Sequence, residues 1–391
     1  MNNGPAPYYV MGGTQDNGTD KWSGTTTWAN GLGADGMVCN IDPINGTNVY
    51  AEIQFGDHRK STNSGVGFSS INTGITGSAQ WVTPVAQDQT DGDILFTETS
   101  SGIFRTTNGG GNWTLVNGSG QGAVWLDVSR VDPDLVYAVD TASGGTVRRS
   151  LNGGTSWSNV SVGFPFSNGT ETKILAHPTD VNTVFVTFSS YSNVAQVAMS
   201  TDQGSSWTAV DGDLPNIPVF SMAVNPSNPT DWYIGTDLGV WMSTNGGVNW
   251  TPAGTGMPNA AVDDLEIQDS LQLLVAGTHG RGAWELSIST APVSSEITSA
   301  PLARNLMLDR PWPNPVRDRT ILRYAAHSDA PVSLRVYDVK GRLVSDLEDL
   351  SRGDGIIRTT PWFTDDVPAG VYFAVLEAGS QRVTQKVTVL K

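Results

Sequence analysis

The stretch Thr106-Thr-Asn-Gly-Gly-Gly-Asn-Trp113 decides the fold of this chain, because close copies of it return at regular intervals. Its pattern is Ser/Thr-x-Asp/Asn-x-Gly-x-x-Trp, and one copy closes with phenylalanine instead of tryptophan. The closing rings of the five copies lie at Phe68, Trp113, Trp157, Trp207 and Trp250, in steps of 43 to 50 residues. A period of this length is typical of stacked supersecondary units. The sequence therefore predicts an array of similar blades.

A second turn signal repeats with the same period, at Asp42-Pro43, Asp132-Pro133, His177-Pro178 and Asn225-Pro226. Proline fixes φ and has no N–H to donate, so it belongs in turns between strands. Residues 122–160 contain four strand-like runs, A to D, with the proline turn between A and B and the repeat between C and D. We predict an all-β chain in which residues 1–290 form a β-propeller. Seven blades are favoured and six are possible; the first lacks strand A and the last lacks strand D.

The 391-residue chain is acidic, and its charge is unevenly distributed. Residues 1–290 carry 9 Lys+Arg and 26 Asp+Glu, whereas residues 291–391 carry 13 and 12. An acidic surface repels phosphate backbones, so we do not expect a nucleic acid partner. No apolar run approaches the ~20 residues of a membrane span. Cys39 is the single cysteine and the four histidines are scattered, so we expect neither a metal site nor a cofactor.

The C-terminal part of the chain differs in composition from the repeat region. Residues 291–304 are predicted to be a linker, because they are rich in proline and serine and low in charge. Residues 305–391 are predicted to form a small Ig-like β-sandwich of about seven short strands. Residues 332–337 alternate strictly between apolar and polar side chains, and Asp338–Arg342 has the composition of a hairpin turn. Two domains are therefore expected.

The repeat resembles the Asp-box of bacterial-neuraminidase (BNR) type, which occupies β-propeller blades. With Gly12–Thr19 and Ala276–Trp284, it makes residues 8–288 similar to the propellers of sortilin-like proteins and of xyloglucanases of glycoside hydrolase family 74. The resemblance implies that the Ser/Thr and Asp/Asn side chains hydrogen-bond the C–D turn, and that the tryptophan wedges between blades. This role is structural, so we expect neither a calcium site nor an active site at the repeats. Enzymes and non-enzymes share the repeat.

The C-terminal residues resemble the type IX secretion (Por) sorting domain, a relative of FlgD-type immunoglobulin-like domains. Pro313-Asn-Pro315, Val336–Arg342 and Ala369–Phe373 carry this resemblance. It implies export across the outer membrane of a Gram-negative bacterium by the type IX secretion machinery, to the outside or the cell surface. Export also implies a signal peptide. Residues 1–5 have neither its basic nor its apolar segment, so we expect the natural N-terminus to lie upstream.

Candidate binding residues lie on the loops opposite the repeats. In a four-stranded meander the B–C and D–A loops share one face, and loops on a rigid scaffold commonly carry binding sites. Asp35 is the best single candidate for a catalytic carboxyl, although a structural role in the Asp35-Gly36 turn is the alternative. Glycoside hydrolysis needs two carboxyl groups ~6.5–9.5 Å apart for inversion or ~5–5.5 Å for retention. The predicted ligand-binding residues are Asp16, Asp35, Asp237, His279 and Arg281.

Three functions are compatible with these observations. We favour a non-enzymatic, exported propeller that binds a polysaccharide or a surface protein. The alternative is a glycoside hydrolase of the xyloglucanase-like kind, and a purely structural envelope protein is the third. A sialidase is disfavoured, because Arg105, Arg148 and Arg149 lie on C strands, where they cannot share one carboxylate clamp. Of the tryptophans outside the repeats, we expect one or two of Trp28, Trp81, Trp125, Trp232, Trp241 and Trp284 to face solvent.

Overall fold

The computed structural model describes residues 9–23, 27–117, 122–140, 145–163, 171–191, 195–254, 257, 259–288, 306–308, 311, 314–317, 319–328, 330–351, 353–354, 358–364, 367–379 and 381–390. The chain divides into two compact units, Met1–Ser289 and Thr290–Lys391. Apart from a 3₁₀ turn at Asp269–Leu271, the regular structure of these residues consists of strands, which confirms the all-β prediction. The predicted linker, residues 291–304, lies outside the described residues.

The described residues of the first unit form seven successive antiparallel sheets. The first sheet comprises β1 (Val10–Thr14), β2 (Gly18–Trp22) and β3 (Trp28–Leu32), and the last comprises β24 (Val262–Gln268), β25 (Leu273–Thr278) and β26 (Gly282–Ser287). The second sheet comprises β4 (Gly36–Ile41), β5 (Val49–Ile53), β6 (Asp57–Ser61) and β7 (Ser69–Ser70), and the third comprises β8 (Val85–Gln87), β9 (Leu95–Thr99), β10 (Gly102–Thr106) and β11 (Thr114–Asn117). The fourth comprises β12 (Ala123–Val128), β13 (Val136–Asp140), β14 (Thr146–Ser150) and β15 (Ser158–Asn159). The fifth comprises β16 (Glu171–Ala176), β17 (Val184–Phe188), β18 (Val197–Ser200) and β19 (Thr208–Ala209), and the sixth comprises β20 (Val219–Val224), β21 (Trp232–Thr236), β22 (Gly239–Ser243) and β23 (Thr251–Pro252).

Each four-stranded sheet is a meander, because strands adjacent in the chain are adjacent in the sheet. A succession of such sheets is consistent with the predicted β-propeller. The three-stranded ends agree with the predicted loss of strand A from the first sheet and strand D from the last. The number of blades that close the ring stays a prediction.

The apolar core of the first unit lies between consecutive sheets. One buried cluster joins Tyr137 and Val147 of the fourth sheet to Ile174 and Val186 of the fifth. All five residues of β13 are buried, so this strand presents side chains to a neighbouring sheet on each of its faces. A single four-stranded sheet cannot bury both of its faces, and each sheet therefore depends on its neighbours for stability.

The repeat forms the turn between the third and fourth strands in each of its five copies. In the fifth sheet the Ser200 hydroxyl donates to Asp202 Oδ1 (2.7 Å) and accepts the Gly204 N–H (2.7 Å). Asp202 Oδ1 also accepts the Ser206 N–H at 2.8 Å. Gly204 has φ of +88°, a conformation that disfavours any residue with a Cβ. Equivalent bonds occur in the copies that begin at Ser61, Thr106, Ser150 and Ser243.

The closing tryptophans tie some sheets to the one before. The indole N–H of Trp207 donates to the carbonyl oxygen of Val160 in the fourth sheet at 2.8 Å. Trp113 makes the equivalent bond to Ile71 of the second sheet at 2.6 Å, and both rings are buried. Trp157 instead donates to Gly154 within its own turn. The wedge implied by the resemblance is thus present at Trp113 and Trp207.

The second unit contains two main sheets around one apolar core. The larger has the order β31 (Leu343–Leu350), β30 (Val332–Asp338), β34 (Gly370–Ala378) and β35 (Gln381–Val389), and the smaller has the order β27 (Met307–Leu308), β28 (Arg319–Ala325) and β33 (Arg358–Phe363). A short pair joins β29 (His327–Ser328) to β32 (Gly353–Asp354). Trp362 and Leu334, one from each main sheet, are buried in the shared core. The predicted Ig-like connectivity stays a prediction.

We predict that Ser200→Ala lowers the free energy of unfolding of the first unit by about 2 kcal/mol, because the Gly204 N–H would be left buried without its acceptor. Urea unfolding followed by tryptophan fluorescence measures this change. Ser205→Ala is the matched control, since Ser205 is exposed in the same turn. Equal midpoints for the two variants would contradict a stabilising role for the repeat.

Candidate functional site

The loops opposite the repeat turns bring two of the predicted residues together. Asp35, in the loop between the first and second sheets, accepts the Asp16 backbone N–H on Oδ1 at 2.7 Å. Asp16 lies in the β1–β2 turn with φ of +65°, so the Asp35 carboxylate supports a backbone conformation that is unfavourable by itself. One oxygen of Asp35 therefore holds the Asp16 turn. A structural role in a turn is the alternative given above to a catalytic role for Asp35.

The same run of loops continues to an exposed aromatic pair. The Asp35 N–H donates to Gln54 Oε1 at 3.3 Å, and Gln54 precedes Phe55 in the β5–β6 turn. The rings of Phe55 and Trp81 pack edge to face, with centroids 5.1 Å apart and an interplanar angle of 88°. The Phe55 N–H donates to the Trp81 carbonyl oxygen at 3.2 Å. We call the five residues Asp16, Asp35, Gln54, Phe55 and Trp81 the loop arc.

Phe55 is an unfavourable residue for its position. It has φ of +63°, in the left-handed region that a bulky side chain rarely adopts, and its side chain is 60% exposed. Trp81 is 42% exposed. A residue that is both strained and exposed contributes little to stability, and such residues cluster at binding sites. The aromatic pair therefore marks this part of the loop face as a candidate site.

Glu52 lies beneath the aromatic pair and is fully buried. Its Oε1 accepts the N–H of Gly56 at 3.1 Å and that of Thr83 at 3.0 Å. Burial raises the pKa of Glu52 to about 7, although the hydrogen bonds from Thr83 and Gly56 lower it. Because no part of the side chain is exposed, Glu52 cannot reach a bound substrate.

The other three predicted residues lie elsewhere on the loops. Asp237 lies in the β21–β22 turn, and its carboxylate accepts a hydrogen bond from the hydroxyl of the exposed Tyr191. His279 Nδ1 lies 3.5 Å from Asp263 Oδ2, and both side chains are more than half exposed. The Arg281 carbonyl oxygen accepts the Trp284 indole N–H at 3.1 Å. Of the five predicted ligand-binding residues, only Asp16 and Asp35 share a hydrogen bond or ion pair in the part of the chain that the structure describes.

Two basic residues outside the predicted site, Lys173 and Arg148, are buried in ion pairs. Lys173 of the fifth sheet reaches Asp264 of the seventh at 3.0 Å and lies 4.9 Å from the centre of the Trp125 ring. Arg148 contacts Glu98 at 2.9 Å and Asp140 at 3.4 Å. The Arg148 guanidinium thus lies in a buried cluster, which argues further against an arginine clamp for a substrate carboxylate.

Of Trp28, Trp81, Trp125, Trp232, Trp241 and Trp284, three are exposed, rather than the expected one or two. They are Trp28 (43%), Trp81 (42%) and Trp284 (37%). Trp28 is on β3 and Trp284 on β26, the outer strands of the three-stranded sheets, and no fourth strand pairs with β26 among the described residues. Trp81 differs, because it lies on a loop of the candidate face. Trp232 is buried against Phe185, as a ring between sheets should be.

The described residues lack two further kinds of feature. They contain no group of three or more His, Cys, Asp or Glu side chains placed to hold a metal ion. They also contain no helix of the length and hydropathy needed to cross a membrane.

Comparison with known sequences identifies the C-terminal unit. The family described as "Secretion system C-terminal sorting domain" matches residues 311–390. The protein therefore carries a type IX sorting domain and is exported to the cell surface or the outside. No curated protein sequence matches the chain.

Solved structures with a similar fold include glycoside hydrolases and the extracellular domain of a one-component system. The family 74 xyloglucanase from Xanthomonas campestris has a TM-score of 0.56 and 14% identity over 96% of this chain and 71% of its own. The family 74 enzyme from Niastella koreensis has a TM-score of 0.53 and 16% identity, over 97% of this chain and 70% of its own. The extracellular domain of a one-component system from B. thetaiotaomicron has a TM-score of 0.51 and 11% identity, over 96% of this chain and 55% of its own. At such identities the likeness shows the fold alone.

We predict that the stability of the wild-type protein falls with rising pH relative to Glu52→Gln. A raised pKa in the folded state gives stability that is present below pH 4.5 and lost as the pH rises through about 7. At ~1.4 kcal/mol per pKa unit, the difference in unfolding free energy between the two proteins should change by about 3 kcal/mol across this window.

Urea unfolding at a series of pH values measures this difference. Asp127→Asn is the control. Burial raises the pKa of Asp127 only to about 6, so the pH-dependent change in unfolding free energy for this variant should end at lower pH than for Glu52→Gln. Parallel pH profiles for wild type and Glu52→Gln would contradict a buried, uncompensated carboxyl at position 52.

Proposed function

We propose that the first unit is a non-catalytic glycan-binding propeller, which the sorting domain delivers to the cell surface. The exposed pair Phe55–Trp81 carries the proposal. A sugar ring has an apolar C–H face that packs on aromatic rings and hydroxyls that hydrogen-bond to carboxylate and amide groups. The loop arc offers both, because Asp16, Asp35 and Gln54 continue directly from the aromatic pair.

A polysaccharide suits this surface better than a protein partner. Stable protein interfaces bury roughly 800 Å² on each partner and have a broad apolar centre. The loop arc instead presents two rings flanked by polar groups, which is the scale of one or two sugar units. Neutral β-glucans such as xyloglucan are the first class to test, since the acidic first unit would repel an anionic polymer. The other predicted residues, Asp237, His279 and Arg281, would extend the contact along the loop face.

A glycoside hydrolase remains the second candidate, because the Asp16 backbone N–H donates to the Asp35 carboxylate and two acidic residues are therefore neighbours on the loop face. Binding is favoured over hydrolysis for two reasons. Asp35 already supports the Asp16 turn with one oxygen, and Glu52, whose pKa is raised as a general acid requires, is fully buried. A general acid must reach the glycosidic oxygen, and Glu52 cannot.

We predict that Trp81→Ala and Phe55→Ala each weaken polysaccharide binding at least tenfold, while each changes the unfolding free energy by less than about 1 kcal/mol. Affinity electrophoresis of the full chain in gels that contain xyloglucan, mixed-linkage β-glucan, galactomannan or α-glucan measures the binding. Trp28→Ala is the matched control, since Trp28 is equally exposed but lies on β3. Retardation that is lost equally in all three variants, or absent for wild type on every polymer, would contradict the proposal. Capture of a surface protein that depends on Trp81 would favour the other partner class.

We predict no release of reducing sugar when the purified chain is incubated with the same polysaccharides. Release that disappears in Asp35→Asn, with binding and folding retained, would instead establish the hydrolase and identify Asp35 as a catalytic carboxyl. Release that persists in Asp35→Asn would point to a contaminating enzyme or to other carboxylates.

A further inference from the structure

One oxygen atom joins the two loops that carry the aromatic pair. Glu52 Oε1 accepts the N–H of Gly56, which follows Phe55 in the β5–β6 turn, and the N–H of Thr83, which lies two residues after Trp81. The two donors belong to the second sheet and to the loop that leads into the third. A third hydrogen bond, from the Phe55 N–H to the Trp81 carbonyl oxygen, completes the link between the loops.

These contacts fix the part of the backbone that is least stable by itself. Phe55 and Gly56 have φ of +63° and +73°, and a left-handed aromatic residue persists only when its surroundings hold it. A Cβ at Gly56 would lie 2.6 Å from the Ala79 side chain, so the turn also packs closely against the Trp81 loop. Loss of the shared acceptor would loosen both loops together.

We propose that Glu52 is a positioning residue that, in its ionised form, holds Phe55 and Trp81 in the arrangement that binds a sugar ring; this inference rests on the proposed glycan-binding function. Hydrogen bonds to an ionised acceptor are roughly twice as strong as those to a neutral one. Binding should therefore be tighter when Glu52 carries its charge, although that charge costs the folded state stability.

The surroundings of Glu52 leave its charge without an ion-pair partner among the described residues. His58 lies directly opposite Glu52 on β6. Burial lowers the pKa of His58 to about 4, so its ring is neutral. The loop of residues 78–84 bonds Glu52 through the Thr83 N–H and contains no ionisable side chain. The β4 residues opposite this position, Met37 and Val38, are also not ionisable. Burial then places the pKa of Glu52 near 7, so its ionisation changes within the neutral range.

Amide hydrogen exchange of the full chain without glycan tests the positioning role. At pH 8, after correction for intrinsic exchange rates, peptides that cover residues 52–57 and 80–84 should exchange at least threefold faster in Glu52→Gln than in wild type. Asp127→Asn, which removes a carboxylate that joins the fourth sheet to the Ala176 N–H of the fifth, should leave both peptides unchanged. Equal exchange in wild type and Glu52→Gln would overturn the inference.

The pH profile of binding to the polysaccharide that is retained most strongly provides the second readout. The wild-type affinity should fall three- to tenfold between pH 8 and pH 5.5, whereas Glu52→Gln should bind weakly and equally at both values. A merely structural residue would lower the affinity without removing its pH dependence, and a Glu52→Gln profile that keeps the wild-type slope would overturn the inference. Should wild type bind none of the polysaccharides, the proposed function fails, and the exchange result alone decides whether Glu52 holds the loops.

Discussion

The hydrogen bond from a glycine N–H to the Ser or Thr hydroxyl of the repeat is the contact on which the first unit depends. It occurs in five sheets and fixes the turn into the short fourth strand, as between Ser200 and Gly204. In two sheets the turn is followed by a buried tryptophan that bonds the preceding sheet. Local turn chemistry and packing between sheets are thus coupled, and the repeat face is fully used for stability. The opposite loops are left free to vary.

Three residues on or next to those loops are unfavourable for the stability of the fold. Phe55 is strained and exposed, Trp81 is exposed, and Glu52 is a buried carboxyl without a basic partner among the described residues. Each of these choices is unfavourable for folding when taken alone. The rings of Phe55 and Trp81 pack on each other, and Glu52 accepts hydrogen bonds from Gly56 and Thr83 in the two loops that carry those rings. Unfavourable choices that converge on one surface are typical of functional sites, and they support the proposed binding role of this surface. Export by the C-terminal sorting domain places that surface where extracellular polysaccharides occur.

The repeat spacing was sufficient to predict the strands and their order, because each copy encodes the same turn and the residues between copies alternate with period two. It also assigned Asp16 and Asp35 to loops of one face, but it did not predict that the Asp35 carboxylate accepts the Asp16 backbone N–H. It did not predict Phe55 or Glu52. Nothing local marks a phenylalanine as left-handed, although the glycine after it in Gln54-Phe55-Gly56 is a turn signal, and Glu52 on an alternating strand reads as solvent-facing. Both depend on the loop of residues 78–84, which meets them only in the folded chain.

The central claim is that glycan binds at Phe55 and Trp81. Fluorine NMR of the full chain with 5-fluorotryptophan at all 13 tryptophans tests it most directly, with the Trp81 resonance assigned from Trp81→Phe. On titration with xyloglucan oligosaccharides, the account predicts that the Trp81 resonance shifts while those of Trp28, Trp207 and Trp250 stay in place. A shift confined to the repeat tryptophans or to Trp28 and Trp284, with none at Trp81, would contradict it.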